Sequence, residues 1–133
     1  MRKPVRGLFI TGTDTNVGKT HVAAMIARQL AGEGRRVGVY KPVASGCYWQ
    51  GNELLAEDAL TLWNAAGKPG ELSRVCPQRF EAPLAPHLAA KLEEREVDAP
   101  LLRAGLEYWL DTSEIVIIEG AGGLMSPVTD DEF

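Results

Sequence analysis

The chain has 133 residues, 45% apolar and 24% charged, which suits one packed domain and argues against disorder. Its 14 Lys and Arg stand against 18 Asp and Glu, a formal net charge of −4, so the basic face that nucleic acid demands is missing. No apolar run approaches a membrane-spanning length.

The start, Met1-Arg2-Lys3-Pro4, is basic, but only Leu8-Phe9-Ile10 follows it, which does not read as a signal peptide. Cys47 and Cys76 form no Cys-x-x-Cys pair, and His21 and His87 are not spaced with them as metal ligands. Free thiols in a reducing, cytoplasmic setting are expected.

In chain order, Gly7 to Thr11 is a short apolar run without alternation, the pattern of a strand buried on both faces. Gly12-Thr13-Asp14-Thr15-Asn16-Val17-Gly18-Lys19-Thr20 follows, and a helix is predicted from Lys19 to Ala31, with Val22, Ile26 and Leu30 on one face and Ala23 and Ala27 beside them. Strand, glycine loop and helix in this order form a polyphosphate cradle: backbone N–H groups converge on phosphate oxygens, and the helix N-terminus adds partial positive charge. The spacing is a variant, with five residues between Gly12 and Gly18 where the usual loop has four. Arg35-Arg36 is the only dense basic cluster and reads as the end of that helix.

Val37 to Lys41 is the second predicted strand, stopped by Pro42, and completes a βαβ unit. Cys47 to Asn52 reads as loop, with Asn52 capping a helix from Glu53 to about Ala66 that carries Asp58. Ser73 to Pro86 reads as irregular, broken by Pro77, Pro83 and Pro86. A short helix is predicted over His87 to Glu94, and another capped by Asp98, with Pro100 in its first turn, running to Leu110. Ile115-Val116-Ile117-Ile118 is the clearest buried strand, ended by Glu119 and Gly120-Ala121-Gly122-Gly123. The expected class is α/β, P-loop NTPase-like, with a mostly parallel sheet and helices on both faces. Residues 1–133 are read as a single P-loop domain, cut after the third core strand and so incomplete at its C-terminal end.

In an open α/β sheet, ligands sit beyond the carboxyl ends of the strands. The phosphate loop, Lys41 with Ser45, and Glu119 all fall there, with Asp58 beside them. Thr20, Asp58 and Glu119 supply an all-oxygen set suited to magnesium. Lys19 and Lys41 can neutralise charge growing on a transferring γ-phosphoryl, so that catalysis rests on positioning and electrostatics. No dedicated base stands out. His21 reads as a solvated or nucleotide-adjacent side chain and His87 as a structural loop histidine. Cys47 reads as a plain loop thiol, Trp63 and Trp109 as core, and Trp49 as a loop residue able to cover a pocket. The residues alone point to an ATP- and magnesium-dependent ligase, synthetase or small-molecule kinase.

Four segments resemble dethiobiotin synthetase, the enzyme family that closes the ureido ring in biotin synthesis. They are Gly12 to Thr20, Tyr40-Lys41-Pro42-Val43-Ala44-Ser45-Gly46, Glu57-Asp58-Ala59-Leu60 and Glu119-Gly120-Ala121-Gly122-Gly123. The long-spaced loop is itself the family's form, and Pro83 to His87 is similar to its proline-histidine loop; Asn16 departs from it, standing where relatives often carry an acid. The resemblance implies that 7,8-diaminopelargonic acid takes up CO2 as a carbamate, that ATP phosphorylates it, and that the second amine closes the ring. By the same resemblance Lys41, Lys19 and Thr15 are the catalytic group, and Thr15, Lys41 and Ser45 meet the substrate. Asn16, Val17, Gly18, Lys19, Thr20 and His21 line the triphosphate, Asp58 and Thr20 with Glu119 hold Mg2+, and Glu119, Gly120, Ala121 and Gly122 approach the nucleotide. The full-length family member is expected to be a longer chain and a homodimer, with Gly122 helping to bind substrate across the interface and the adenine contacts beyond Phe133.

Two rival readings are a partition or cell-division ATPase switch and a non-catalytic nucleotide-binding fragment. Against the first, Thr11-Gly12-Thr13 carries no signature lysine beside the loop's first glycine.

Overall fold

The computed structural model describes residues 6–10 and 18–120. β1 (Arg6–Ile10) runs towards the glycine loop and α1 (Lys19–Gly32) leaves it. Gly18 caps α1 at φ 76°, a left-handed backbone that side chains rarely adopt. Its carbonyl accepts the Val22 N–H at 2.9 Å and starts the helix. The buried face of α1 is centred on the alanines beside the predicted stripe, Ala23 and Ala27, and not on the stripe itself. Val22 is 47% exposed, and the packing is carried by Ala23, Ala24 and Ala27, with Ile26 and Leu30 at the margin. Alanines let the helix axis approach the sheet closely, and that close fit outweighs the larger apolar groups.

β2 (Val37–Tyr40) is buried along its length. β3 (Val43–Ala44) follows, and then β4 (Tyr48–Gln50) and β5 (Glu53–Leu55) pair as an antiparallel hairpin, where loop and helix were expected. Gly51, at φ 65°, and Asn52 form its two-residue turn, so Asn52 caps no helix. α2 (Glu57–Ala65) starts four residues later than predicted, with Ala56 at its N-cap and no side-chain cap bond.

The stretch expected to be irregular holds α3 (Leu72–Val75) and β6 (Gln78–Arg79). β6 pairs in parallel with β3, Val43 opposite Gln78. Around that pair the Lys41 N–H donates to Val75 O at 2.8 Å, Phe80 N–H to Ala44 O at 2.8 Å, and Cys47 N–H to Phe80 O at 2.9 Å. Residues 75–80 thus strap the segment 41–47 in place. α4 (Pro86–Leu92) carries His87 in its first turn.

α5 (Ala99–Thr112) begins as predicted: Asp98 caps it by accepting the Leu101 N–H at 3.0 Å, and proline stands in the first turn. β7 (Ile115–Glu119) ends the described chain. It lies between β1 and β2, parallel to both, so the β1–α1–β2 crossover skips one strand. β1 takes an outer place among the described strands, and Leu8 is 39% exposed, contrary to the two-sided burial its apolar run suggests. The buried strands are β2 and β7.

Helices cover both faces of β2. On one face lies α5: a Cβ added at Gly38 would meet Ser113 Oγ and stand 2.9 Å from Trp109 Cε3, and the Tyr40 hydroxyl donates to Leu102 O. α1 and α2 pack on each other and on β2, taking the side of Val37 and Val39 that alternation turns away from α5. Trp109 is core, 1% exposed, with Nε1 donating to Arg74 O. Trp63 is only partly buried, its Nε1 donating to Pro69 O. Trp49 stands on β4, 56% exposed. The arginine pair does not serve the end of α1: Arg35 Nε lies 3.5 Å from Glu114 Oε2, and the Arg36 N–H donates to Glu114 Oε1.

Candidate functional site

The parallel register sets the site. Ile10 at the end of β1 is level with Glu119 at the end of β7, and Tyr40 at the end of β2 is level with Ile118. Lys41, one residue on, therefore stands beside Glu119 at the carboxyl edge of the sheet. α1 begins there with Lys19 and Thr20, and the first turn of α2 brings Asp58 alongside. Together they border a cleft of about 680 Å³ that also takes in Gly18, His21 and Ser45.

Glu119 is the centre of the cluster and is 1% exposed. Its Oε1 accepts the Thr20 hydroxyl at 2.6 Å and lies 3.6 Å from Lys41 Nζ. Lys41 Nζ is also 3.6 Å from Asp58 Oδ2. Lys19 Nζ donates to Gly120 O at 3.3 Å. Burial first, then the nearby Lys41 ammonium, hold the Lys19 ammonium below the ordinary lysine range, against the opposing pull of Glu119 and Asp58. Two lysines buried at the mouth of a phosphate loop suit an anion that brings its own charge.

Glu119 Oε2 is fully buried and meets no partner among the described residues. With Thr20 Oγ1 and the Asp58 carboxylate it makes a hard, all-oxygen donor set that fits magnesium. Among the described residues no group of three His, Cys, Asp or Glu is placed to hold a metal ion by such side chains alone.

The structure brings Gly18, Lys19, Thr20, His21, Lys41, Ser45, Asp58 and Glu119 to one cleft. Gly120 is tied to it through Lys19. Thr15, Asn16, Val17, Ala121 and Gly122 lie outside the described residues. His21 is exposed at the cleft edge. Among the described residues, His87 and Trp49 do not line this cleft. The Cys47 thiol donates to Ala44 O, and burial pushes it above the ordinary thiol range, which suits an inert packing group.

Reasoning from the residues alone did not single out Glu57, which lines the cleft beside Asp58, or the wall from Pro83 to Pro86. Adjacent acids opening a helix were the available signal for Glu57. For the wall it was the proline run, which the family resemblance covered without assigning it to the site.

A family model described as an AAA domain matches residues 6–133. The chain is similar to the ATP-dependent dethiobiotin synthetase BioD of Rhodopirellula baltica, 51% identical over 125 residues that make up 92% of this chain and 49% of that protein. It is 40% identical over 121 residues to the protein of the same name from Idiomarina loihiensis, covering 90% of this chain and 54% of that one. With that of Anoxybacillus flavithermus it shares 36% identity over 129 residues, 97% of this chain and 57% of the other. The chain spans about half the length of the curated relatives it matches.

Proposed function

The chain belongs to the AAA-domain family, in its dethiobiotin synthetase branch, and from that premise we propose that the whole protein closes a ureido ring on 7,8-diaminopelargonic acid with CO2 and ATP. The observation that carries this reading is the cluster of Lys41, Asp58, Glu119 and Thr20 at the mouth of the phosphate cleft.

In this reading one substrate amine adds CO2 and becomes a carbamate. A carbamate oxygen attacks the γ-phosphorus, the bond to the ADP oxygen breaks, and a carbamoyl phosphate forms. The second amine attacks the carbamoyl carbon, phosphate leaves, and the amine proton is lost to solvent. The substrate supplies both nucleophiles, which agrees with a buried Cys47 and with the missing protein nucleophile. Lys19 meets the outer phosphates from the first turn of α1, where the helix dipole adds to its charge. Lys41 neutralises the transferring phosphoryl and orients the carbamate, as Thr15 does from the loop. Ser45, held by the strap from residues 75–80, faces the diamine. Thr20, Asp58 and Glu119 would hold Mg2+, which when bound neutralises phosphate charge. Asn16, Val17, Gly18, His21, Gly120, Ala121 and Gly122 complete the nucleotide contacts. The same reading makes the whole protein a cytoplasmic homodimer; no described helix is long and apolar enough to cross a membrane.

The test is to incubate the whole protein with the diamine, bicarbonate, ATP and magnesium. Phosphate release that depends on the diamine, and a product heavier by one carbonyl in place of two hydrogens, are expected. Release no greater than that of the Lys41→Ala variant would sink the reading.

A further inference from the structure

This inference rests on the proposed magnesium site and concerns how Lys41 shares it. Lys41 Nζ stands 3.6 Å from one oxygen of Asp58 and 3.6 Å from one oxygen of Glu119. The three groups come from separate elements: the end of β2, the first turn of α2 and the end of β7. The side chains of Lys41 and Glu119 are 8% and 1% exposed, so water screens their contact little. Glu119 Oε1 is also the acceptor of the Thr20 hydroxyl. The carboxylates that a divalent cation would take are thus those the ammonium already bridges.

A magnesium ion needs its oxygens at roughly 2.0–2.1 Å in near-octahedral array. An ammonium held by the same two carboxylates would then face a double positive charge across a few ångströms, poorly screened on the buried Glu119 side and more open to water at Asp58. Even with Glu119 Oε2 open, the two cations compete for one pair of carboxylates. We propose that Lys41 is an internal counter-cation for the Asp58–Glu119 pair, displaced when a divalent cation loads and thereby released towards the phosphoryl group. Lysine suits the exchange: its point charge sits on a flexible four-carbon stem, so it can leave one partner and reach another without moving β2. Loading of the cation and readiness of the lysine become one event. Binding linkage makes the exchange reciprocal, so whatever removes the ammonium tightens the metal.

The experiment measures Mn2+ binding, without nucleotide, from the electron paramagnetic resonance signal of the free ion. Wild type, Lys41→Met, Lys41→Arg and the double variant Lys41→Met/Glu119→Gln are compared. Lys41→Met should bind Mn2+ about tenfold tighter than wild type or more. Lys41→Arg should bind as wild type does, and the double variant should lose the gain. Without metal, the thermal midpoint of Lys41→Met should fall below wild type and return when Mn2+ is added. Equal affinity in wild type and Lys41→Met overturns the exchange and leaves the metal site standing, as does a gain that survives Glu119→Gln. No Mn2+ binding by any of the four proteins, with or without ATP, overturns the metal site and this inference together. Should Lys41→Met fail to fold, the wild type still decides. Saturating Mg2+ should move the 13Cε resonance of Lys41, assigned by its loss in Lys41→Arg, and an unmoved resonance overturns the exchange.

Discussion

Thr20 and Glu119, 99 residues apart, are joined by a 2.6 Å hydrogen bond from the threonine hydroxyl to a buried carboxylate oxygen. The bond ties the first turn of α1 to the end of β7. A hydrogen bond to a charged group contributes about 1.5–3 kcal/mol. Thr20→Val keeps the shape and removes the donor. It should lower the urea unfolding free energy by an amount near the lower end of that range and weaken Mg-ADP binding. Thr20→Ser should keep most of both. Equal unfolding curves for Thr20→Val and wild type would contradict the assignment.

The two acids around Lys41 differ in exposure, 1% for the Glu119 side chain against 41% for Asp58. Breaking a buried ion pair by removing one partner costs about 3–5 kcal/mol, because a charge is left uncompensated. An exposed pair is worth only about 0–1 kcal/mol. Glu119→Gln should therefore destabilise the protein clearly more than Asp58→Asn, although both should abolish most metal-dependent turnover. Denaturant unfolding of the two variants side by side checks the order, and a reversed order would refute it.

The elements that announce themselves are those whose signal is local. A glycine loop between an apolar run and a helix, Asp98 ahead of Pro100, and Glu119 ending an aliphatic run each state their structure within a few residues. The family match rests on such segments. Gly51-Asn52 signals a turn in the sequence, but Asn52 also suits the cap of a helix because Leu54, Leu55, Ala59, Leu62 and Trp63 fit a helical stripe. It is a hairpin turn because the pairing of Trp49 with Leu54 is a contact between segments, invisible to either alone. The strap over Lys41 to Cys47 stayed hidden for the same reason: its bonds join backbones 33–36 positions apart. The face of α1 was legible in part: Ala23 and Ala27 lie beside the predicted stripe, but apolar spacing counts hydrophobicity, and side-chain size decided that they pack while Val22 stays exposed. The site's members were legible as a shared sheet edge. That Lys41 bridges Asp58 and Glu119 was not, since it depends on the start of α2, four residues from where the stripe put it.

Gly38 is where α5 crosses β2. A methyl group there would meet Ser113 Oγ and come within 2.9 Å of Trp109 Cε3. The serine hydroxyl can rotate away, but the indole is held by its bond to Arg74 O. Overpacking of this kind costs about 1–3 kcal/mol. Gly38→Ala should lose stability in that range, and adding Ser113→Ala should restore only part of it. Full recovery in the double variant would mean that the indole is free to yield.

Cys76 provides a pH-dependent check on the core. Burial pushes its thiol up to about 12 from the ordinary 9.0. The thiol donates to Gln78 O beside the strap, and burial costs it the solvation a thiolate needs. The sign follows from proton counts. Between about 9 and 12 the unfolded chain releases this proton and the folded chain keeps it, so unfolding releases a proton and stability falls as pH rises. The contribution is fully present below pH 9 and is lost progressively up to about 12, a change on the order of a few kcal/mol. Most other alkaline titrations act in wild type and variant alike; Tyr40 is the exception, since burial first and then Cys76 hold its hydroxyl above the ordinary range, and losing Cys76 removes the smaller of these two effects. The measured quantity is therefore the difference in unfolding free energy between wild type and Cys76→Val. It should be flat from pH 6 to 8, where the thiol is protonated in both states. Above pH 9 it should move in favour of the variant. A difference that stays constant through pH 11 would mean that the thiol is reached by water in the folded protein, and that residues 75–80 do not close over it as the structure has them.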